Sequence, residues 1–203
     1  PIETGDAEHA VYEAMSAQHL DLQGLHFHLG SPIFELQPYA EAIRVVLKFA
    51  ARMEDSGFVL RSFSPGGGFA IAYTEQDSPP TIEEYAQVIV QALKSGCAEF
   101  GLAEPELIVE PGRAITGPAG VALYTVGAIK VVPGVRTYVS VDGGMGDNIR
   151  PALYDSQYVA IAASRVASSP VGAVTIAGKY CESGDVLVRD ALLPTLESGD
   201  IIA

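Results

Sequence analysis

Cysteine is almost missing from this chain: Cys97 and Cys181 are the only two among 203 residues. Two thiols cannot build a disulfide framework, which excludes a stapled mini-domain and points to a reducing, cytoplasmic setting. Positive charge is scarce as well. Twelve Lys and Arg face 25 Asp and Glu, for a formal net charge of −13, and such a surface repels phosphate backbones and anionic membranes. A general nucleic-acid binder is excluded on that ground. Long apolar runs are also lacking, because Lys48, Lys130 and Arg165 interrupt the longest ones before they reach the roughly 18 residues a membrane span requires. What is present is apolar material in short pieces. Hydrophobic residues make up 48% and charged ones only 18%, a balance that folds around a core rather than remaining a disordered acidic tail.

Up to about Gly112, helix-period segments alternate with short apolar strands, the pattern of parallel βα units. Helices are expected over residues 6–18, with Asp6 as N-cap, over 38–55 and over 81–96. In the second, Ala42, Val45, Val46, Phe49 and Met53 fall at helical spacing on one side. The third opens Thr81-Ile82-Glu83-Glu84, a capping box. Strands are expected over 22–29, 58–63 and 106–110, each running into a Gly- or Pro-bearing loop, and such loops carry ligands in α/β folds. Beyond Gly112 the chain turns to β-branched runs. Strands are expected over 121–132, 135–141, 157–162, 171–176 and 185–189, so a mostly β domain at 113–203 follows an α/β domain at 1–112.

Five short motifs carry polar chemistry. His26-Phe27-His28-Leu29-Gly30-Ser31 puts two imidazoles on one side of a strand end, as a zinc pair lacking its third ligand or as core histidines. Pro65-Gly66-Gly67-Gly68-Phe69 can turn backbone N–H groups inward as an anion nest, or simply make a tight turn. Glu110-Pro111-Gly112-Arg113 ends a strand with an acid and a guanidinium, which either pair with each other or meet a ligand. Arg150 and Tyr154 stand four apart after a glycine-rich turn, a clamp for a carboxylate if the segment is helical and a solvated surface turn otherwise. Cys181 stands beside Glu182, as a proton donor or an inert thiol; Cys97 is read only as the latter.

In that order, HxHLGS, GGGF, EPGR, DGGM with RPALY, and CESGD resemble the pyridoxal-phosphate-dependent decarboxylases of fold type III, in particular the diaminopimelate decarboxylase branch. RPALY and CESGD are the discriminating pieces, since relatives acting on ornithine or arginine differ there. The resemblance implies the later half of an alanine-racemase-like TIM (β/α)8 barrel followed by a β-domain. It implies pyridoxal 5′-phosphate as cofactor, with His28 stacked on the pyridine ring and Ser31, Gly66, Gly67 and Gly68 around the phosphate. Gly112 and Arg113 complete that cradle. Glu110 would pair with the pyridine nitrogen, keeping it protonated so that the ring accepts electrons as CO₂ leaves. Arg113, Arg150 and Tyr154 would grip substrate carboxylates, Cys181 would return a proton, and Glu182 would hold the distal amino group of meso-diaminopimelate. It also implies a homodimer, with Cys181 and Glu182 reaching across into the partner's site.

One departure matters. The family's imine-forming lysine is not among Lys48, Lys94, Lys130 and Lys179, and its later tyrosine motif is not found either. The expectation is a piece of a longer protein, with open barrel edges that favour association. A non-catalytic pyridoxal-phosphate binder, a decarboxylase of a related basic amino acid, and a hydrolase using zinc at His26 and His28 are the alternatives.

Overall fold

The computed structural model describes residues 1–203. Its first helix, α1 (Asp6–Ser16), leads into three short strands of like direction. β1 (Gly24–His26), β2 (Ser62–Ser64) and β3 (Glu106–Leu107) lie side by side in that order, with Leu25 opposite Phe63 and Phe63 opposite Leu107. Parallel neighbours require long crossovers. These are supplied by α2 (Gln37–Glu54) and α3 (Ile82–Phe100), so the expected βα alternation is found. The strands are shorter than their apolar runs: β1 and β3 stop short of the expected carboxyl ends, while β2 starts only at Ser62. After β3 comes the short α4 (Gly112–Thr116).

The helices correct three details of the sequence reading. Gly5, in the left-handed conformation, is the N-cap of α1, and Asp6 is already inside the helix. The buried residues of α2 are Tyr39, Ile43, Leu47, Phe49, Ala50 and Met53, so Phe49 and Met53 are buried as expected while Val45 is 51% exposed. Tyr39, Ile43 and Leu47 fill the core, leaving Ala42 and Val46 half-buried. Third, α3 does not stop at Gly96. The absence of a side chain there admits Leu47 of α2, and the helix ends at Gly101, whose φ of +76° suits a left-handed cap. Its start is as expected: Glu84 N–H donates to Thr81 Oγ1 at 3.2 Å and Thr81 N–H to Glu84 Oε2 at 2.7 Å, a box worth about 1 kcal/mol. Tyr85, Ile89, Leu93 and Cys97 of α3 join the α2 stripe, Phe58, Leu60 and Phe63 in one core.

Residues Pro1–Ile71 and Ser78–Ala119 form this first unit; Ala72–Asp77 and Gly120–Ala203 form a second. The second is built on a five-stranded sheet. β4 (Tyr124–Val132) turns at Pro133-Gly134 into antiparallel β5 (Arg136–Val141). A long connection holding α5 (Arg150–Tyr154) then leads to β6 (Gly172–Ala177), which lies parallel to β5 with Val139 opposite Ile176. β7 (Val186–Leu193) and β8 (Ile201–Ile202) complete the order β7-β6-β5-β4-β8. Val126, Val139, Val141, Ile176, Leu187, Leu193 and Ile202 are its core. Residues 157–162 are not the strand expected of them. Only Ile161 and Ala203 exchange backbone hydrogen bonds there, both 2.9 Å, beside a bridge from Ala162 to Ile202. No helix of the chain is long and apolar enough to cross a membrane.

Candidate functional site

In the first unit the three parallel strands deliver their following loops to one sheet end. His26 and His28 come from β1, Pro65 to Gly68 from β2, and Glu110 to Arg113 from β3 and the start of α4. The glycines allow the close approach. A Cβ at Gly67 would lie 1.9 Å from the Glu110 carbonyl oxygen, one at Gly68 2.2 Å from that of Gly30, and one at Gly66 2.9 Å from the His28 ring. Gly66 and Gly68 also have φ of +73° and +90°, which other residues rarely adopt.

The three glycine carbonyls of this loop are all committed. Gly66 O accepts from Glu110 N–H at 3.0 Å, Gly68 O from Ile33 N–H at 2.8 Å, and Gly67 O from the buried Tyr39 hydroxyl at 2.6 Å. In a trans peptide the N–H points opposite to its C=O, so the N–H groups of Gly67, Gly68 and Phe69 face away from those partners. N–H groups turned away from a loop's internal partners are what an anion nest requires. Tyr39 is a residue the sequence reading missed as a site element. Burial pushes its hydroxyl up to about 12, with Tyr85 adding to the shift, so it remains a donor throughout the physiological range. Tyr85 works alongside it, donating to Ile33 O and accepting from Ala70 N–H.

Glu110 lies against His26, with Oε1 3.2 Å from Nε2. Both side chains are about half exposed, so the contact orients the carboxylate more than it stabilises the fold. His28 is held differently: its Nδ1 accepts from Gly30 N–H at 3.0 Å, which in the neutral ring leaves the proton on Nε2. The two imidazoles therefore serve separate partners, and no group of three His, Cys, Asp or Glu gathers to hold a metal. Ser31 follows on the same exposed loop, and Arg113 is partly buried in the first turn of α4.

In the second unit Arg150 and Tyr154 do share one helical turn. The Arg150 guanidinium carbon lies 5.5 Å from the Tyr154 ring centre, its Nη2 is 3.4 Å from Ser156 Oγ, and its Nε is buried without a hydrogen-bond partner. Cys181 is exposed, in contrast to Cys97, which is buried in α3 and whose thiol burial pushes up. Glu182 turns back on its own loop, accepting from Ser183 Oγ and Gly184 N–H.

The loops after three adjacent parallel strands thus bring backbone N–H groups, an imidazole and a carboxylate to one end of the sheet of an α/β unit. The donor set fits pyridoxal phosphate: N–H groups for the phosphate, a carboxylate for the ring nitrogen, an imidazole for a ring face.

Residues 2–117 match the family model described as pyridoxal-dependent decarboxylase, pyridoxal binding domain. The chain belongs to the pyridoxal-dependent decarboxylase family. It is 45% identical over 203 residues to the diaminopimelate decarboxylase of Bacillus subtilis, covering all of this chain and 46% of that protein. With the enzyme of that name from Synechocystis it shares 48% identity over 179 residues, 88% of this chain and 38% of that one. Among solved structures, diaminopimelate decarboxylase from M. jannaschii superposes with a TM-score of 0.86 at 32% identity, over 99% of this chain and 45% of that one. The Helicobacter pylori enzyme complexed with L-lysine gives 0.81 at 33% identity, over 97% and 46%. The chain thus spans about half the length of the relatives it matches.

Proposed function

We propose that this chain is part of a pyridoxal-phosphate-dependent diaminopimelate decarboxylase, which converts meso-2,6-diaminopimelate to L-lysine and CO₂. Residues 1–112 would be the later half of its (β/α)8 barrel and 113–203 its β-domain. The observation that carries this reading is the convergence of His28, three glycines and Glu110 at the ends of three adjacent parallel strands. Gly66, Gly67, Gly68 and Ser31, with Gly112 and Arg113, would hold the cofactor phosphate side, and His28 would cover the ring. Pyridoxal phosphate, when bound, supplies a protonated ring that accepts the electron pair left as CO₂ departs. Glu110 keeps the ring nitrogen protonated, since a carboxylate beside it favours the charged form. Arg113, Arg150 and Tyr154 hold carboxylates, Cys181 delivers the proton that replaces CO₂, and Glu182 fixes the distal ammonium by charge. The protein would work in the cytoplasm as a homodimer in which Cys181 and Glu182 of one protomer complete the site of the other.

The test uses the protein purified from its complete gene. Incubation with pyridoxal phosphate, reduction with borohydride and peptide mass spectrometry should label one lysine outside Pro1–Ala203. Diaminopimelate should then yield lysine and CO₂, with turnover lost in Cys181→Ala and Glu182→Ala. Cofactor binding with neither a labelled lysine nor CO₂ release would make the protein a non-catalytic binder and end this reading.

A further inference from the structure

Of the CESGD motif, the proposed chemistry uses the thiol and the first carboxylate; the last residue, Asp185, has the more constrained setting. Its side chain is only 3% exposed. One carboxylate oxygen accepts from Met145 N–H at 2.6 Å and the other from Tyr180 N–H at 2.8 Å. Met145 belongs to the glycine-rich loop that leads to Arg150, and Tyr180 immediately precedes Cys181. The carboxylate sits where two side chains are missing: a Cβ at Gly144 would lie 2.7 Å from it and one at Gly178 2.2 Å. Backbone bonds continue the seam, with Lys179 N–H donating to Gly143 O, Gly178 N–H to Asp185 O, and Asp185 N–H to Glu182 O at 2.9, 2.9 and 3.0 Å.

We infer that Asp185 is the positioning residue of the second unit, fixing the Tyr180–Glu182 turn against the Gly143–Met145 loop so that Cys181 and Glu182 are presented in one geometry. The inference rests on the functional reading for what those two side chains do. The chemistry selects Asp specifically. Two inward N–H donors need two acceptor oxygens on one short side chain; Asn offers one oxygen and sets an NH₂ against the second donor, while Glu is a methylene too long for the space between Gly144 and Gly178.

The experiment uses the full-length protein and the variants Asp185→Asn, Asp185→Glu and Gly178→Ala, the last of which keeps the carboxylate but drives a methyl into its seat. Amide hydrogen exchange is read on peptides covering 143–147 and 178–184, Cys181 alkylation by iodoacetamide is followed against pH, and kcat is measured with cofactor affinity as a control. All three variants should speed exchange in both loops and alter the alkylation profile. They should lower kcat about 100-fold, the loss expected when reacting groups move by about 1 Å, and leave cofactor affinity unchanged. Wild-type exchange and wild-type kcat in Asp185→Asn would overturn the inference, and so would faster exchange with unchanged kcat, which would make the seam structural only. If Asp185→Asn does not fold, Gly178→Ala decides by the same two readings. If the wild-type protein has no turnover on diaminopimelate, the functional reading fails, and unchanged loop exchange and Cys181 alkylation in the variants would separately overturn the lock.

Discussion

At the residue scale, what separates a usable anion nest from an ordinary glycine turn is what its carbonyls do. Tyr39 reaches from α2 to take the Gly67 carbonyl, so Tyr39→Phe leaves a buried acceptor unpaired at nearly constant volume. That loss costs about 1–3 kcal/mol, and because it frees the peptide to rotate it should also weaken binding of pyridoxal phosphate in the full-length protein. Thermal unfolding and a cofactor titration check the two effects; unchanged affinity would show that the nest holds its shape without the phenol. Gly67→Ala is the harsher change. Its methyl would meet the Glu110 carbonyl at 1.9 Å, backbone against backbone, and should abolish cofactor binding, as absorbance would show. The placing of the glycines and Glu110 in loops at strand ends, and of Arg150 and Tyr154 on one helical turn, was legible in the sequence because those signals are local; the roles given to them came from the family resemblance. Tyr39 was not legible. Nothing in a helix pattern says that a tyrosine hydroxyl will cross to a loop 28 residues away, and the contact of Glu110 with His26 required knowing that β1 and β3 flank β2.

At the element scale, glycine carried a misleading signal. Gly96 reads as the end of α3, yet it lies inside the helix because Leu47 of α2 needs the space: a Cβ there would come 2.5 Å from Leu47 Cδ1. Gly96→Ala gains about 1 kcal/mol of helix propensity but overpacks a fully buried leucine, a change that typically costs about 1–3 kcal/mol. The variant should therefore be net destabilising. Combined with Leu47→Val, which shortens the opposing side chain, it should lose less than the sum of the two single changes. A double-mutant cycle in denaturant measures this, and strict additivity would refute the contact. The capping box of α3 and the break between the strands expected over 121–132 and 135–141 were readable because both are local. The parallel pairing of β5 with β6 was not, since it joins segments across a long connection and no local pattern encodes the partner.

At the scale of the whole molecule, the 25 acidic residues are not equivalent in the two units. Asp77 is held below the usual carboxylate range by the Thr74 and Tyr73 amides, Asp142 by the Thr125 amide, and Asp200 by the Arg165 guanidinium, whose Nε is 2.6 Å away. All three lie in the second unit; in the first, Glu99 is held down in the same direction by Arg44. A carboxyl whose folded-state value is depressed contributes its full stability above the unfolded value of about 3.9. That contribution is lost as pH falls through the folded value, because over that window the unfolded chain takes up the proton first. Acid should therefore open the second unit ahead of the first. Holding the protein at stepped pH values below about 4, returning it to a common labelling pH and mapping amide exchange by mass spectrometry should show protection lost around Asp77, Asp142 and Asp200 while α2 and α3 remain protected. Asp200→Asn should remove part of that pH dependence, since it takes away a titrating group held by Arg165. Simultaneous loss in both units, or earlier loss in α2 and α3, would mean that the fold's acid response is set by its overall charge and not by these three carboxylates.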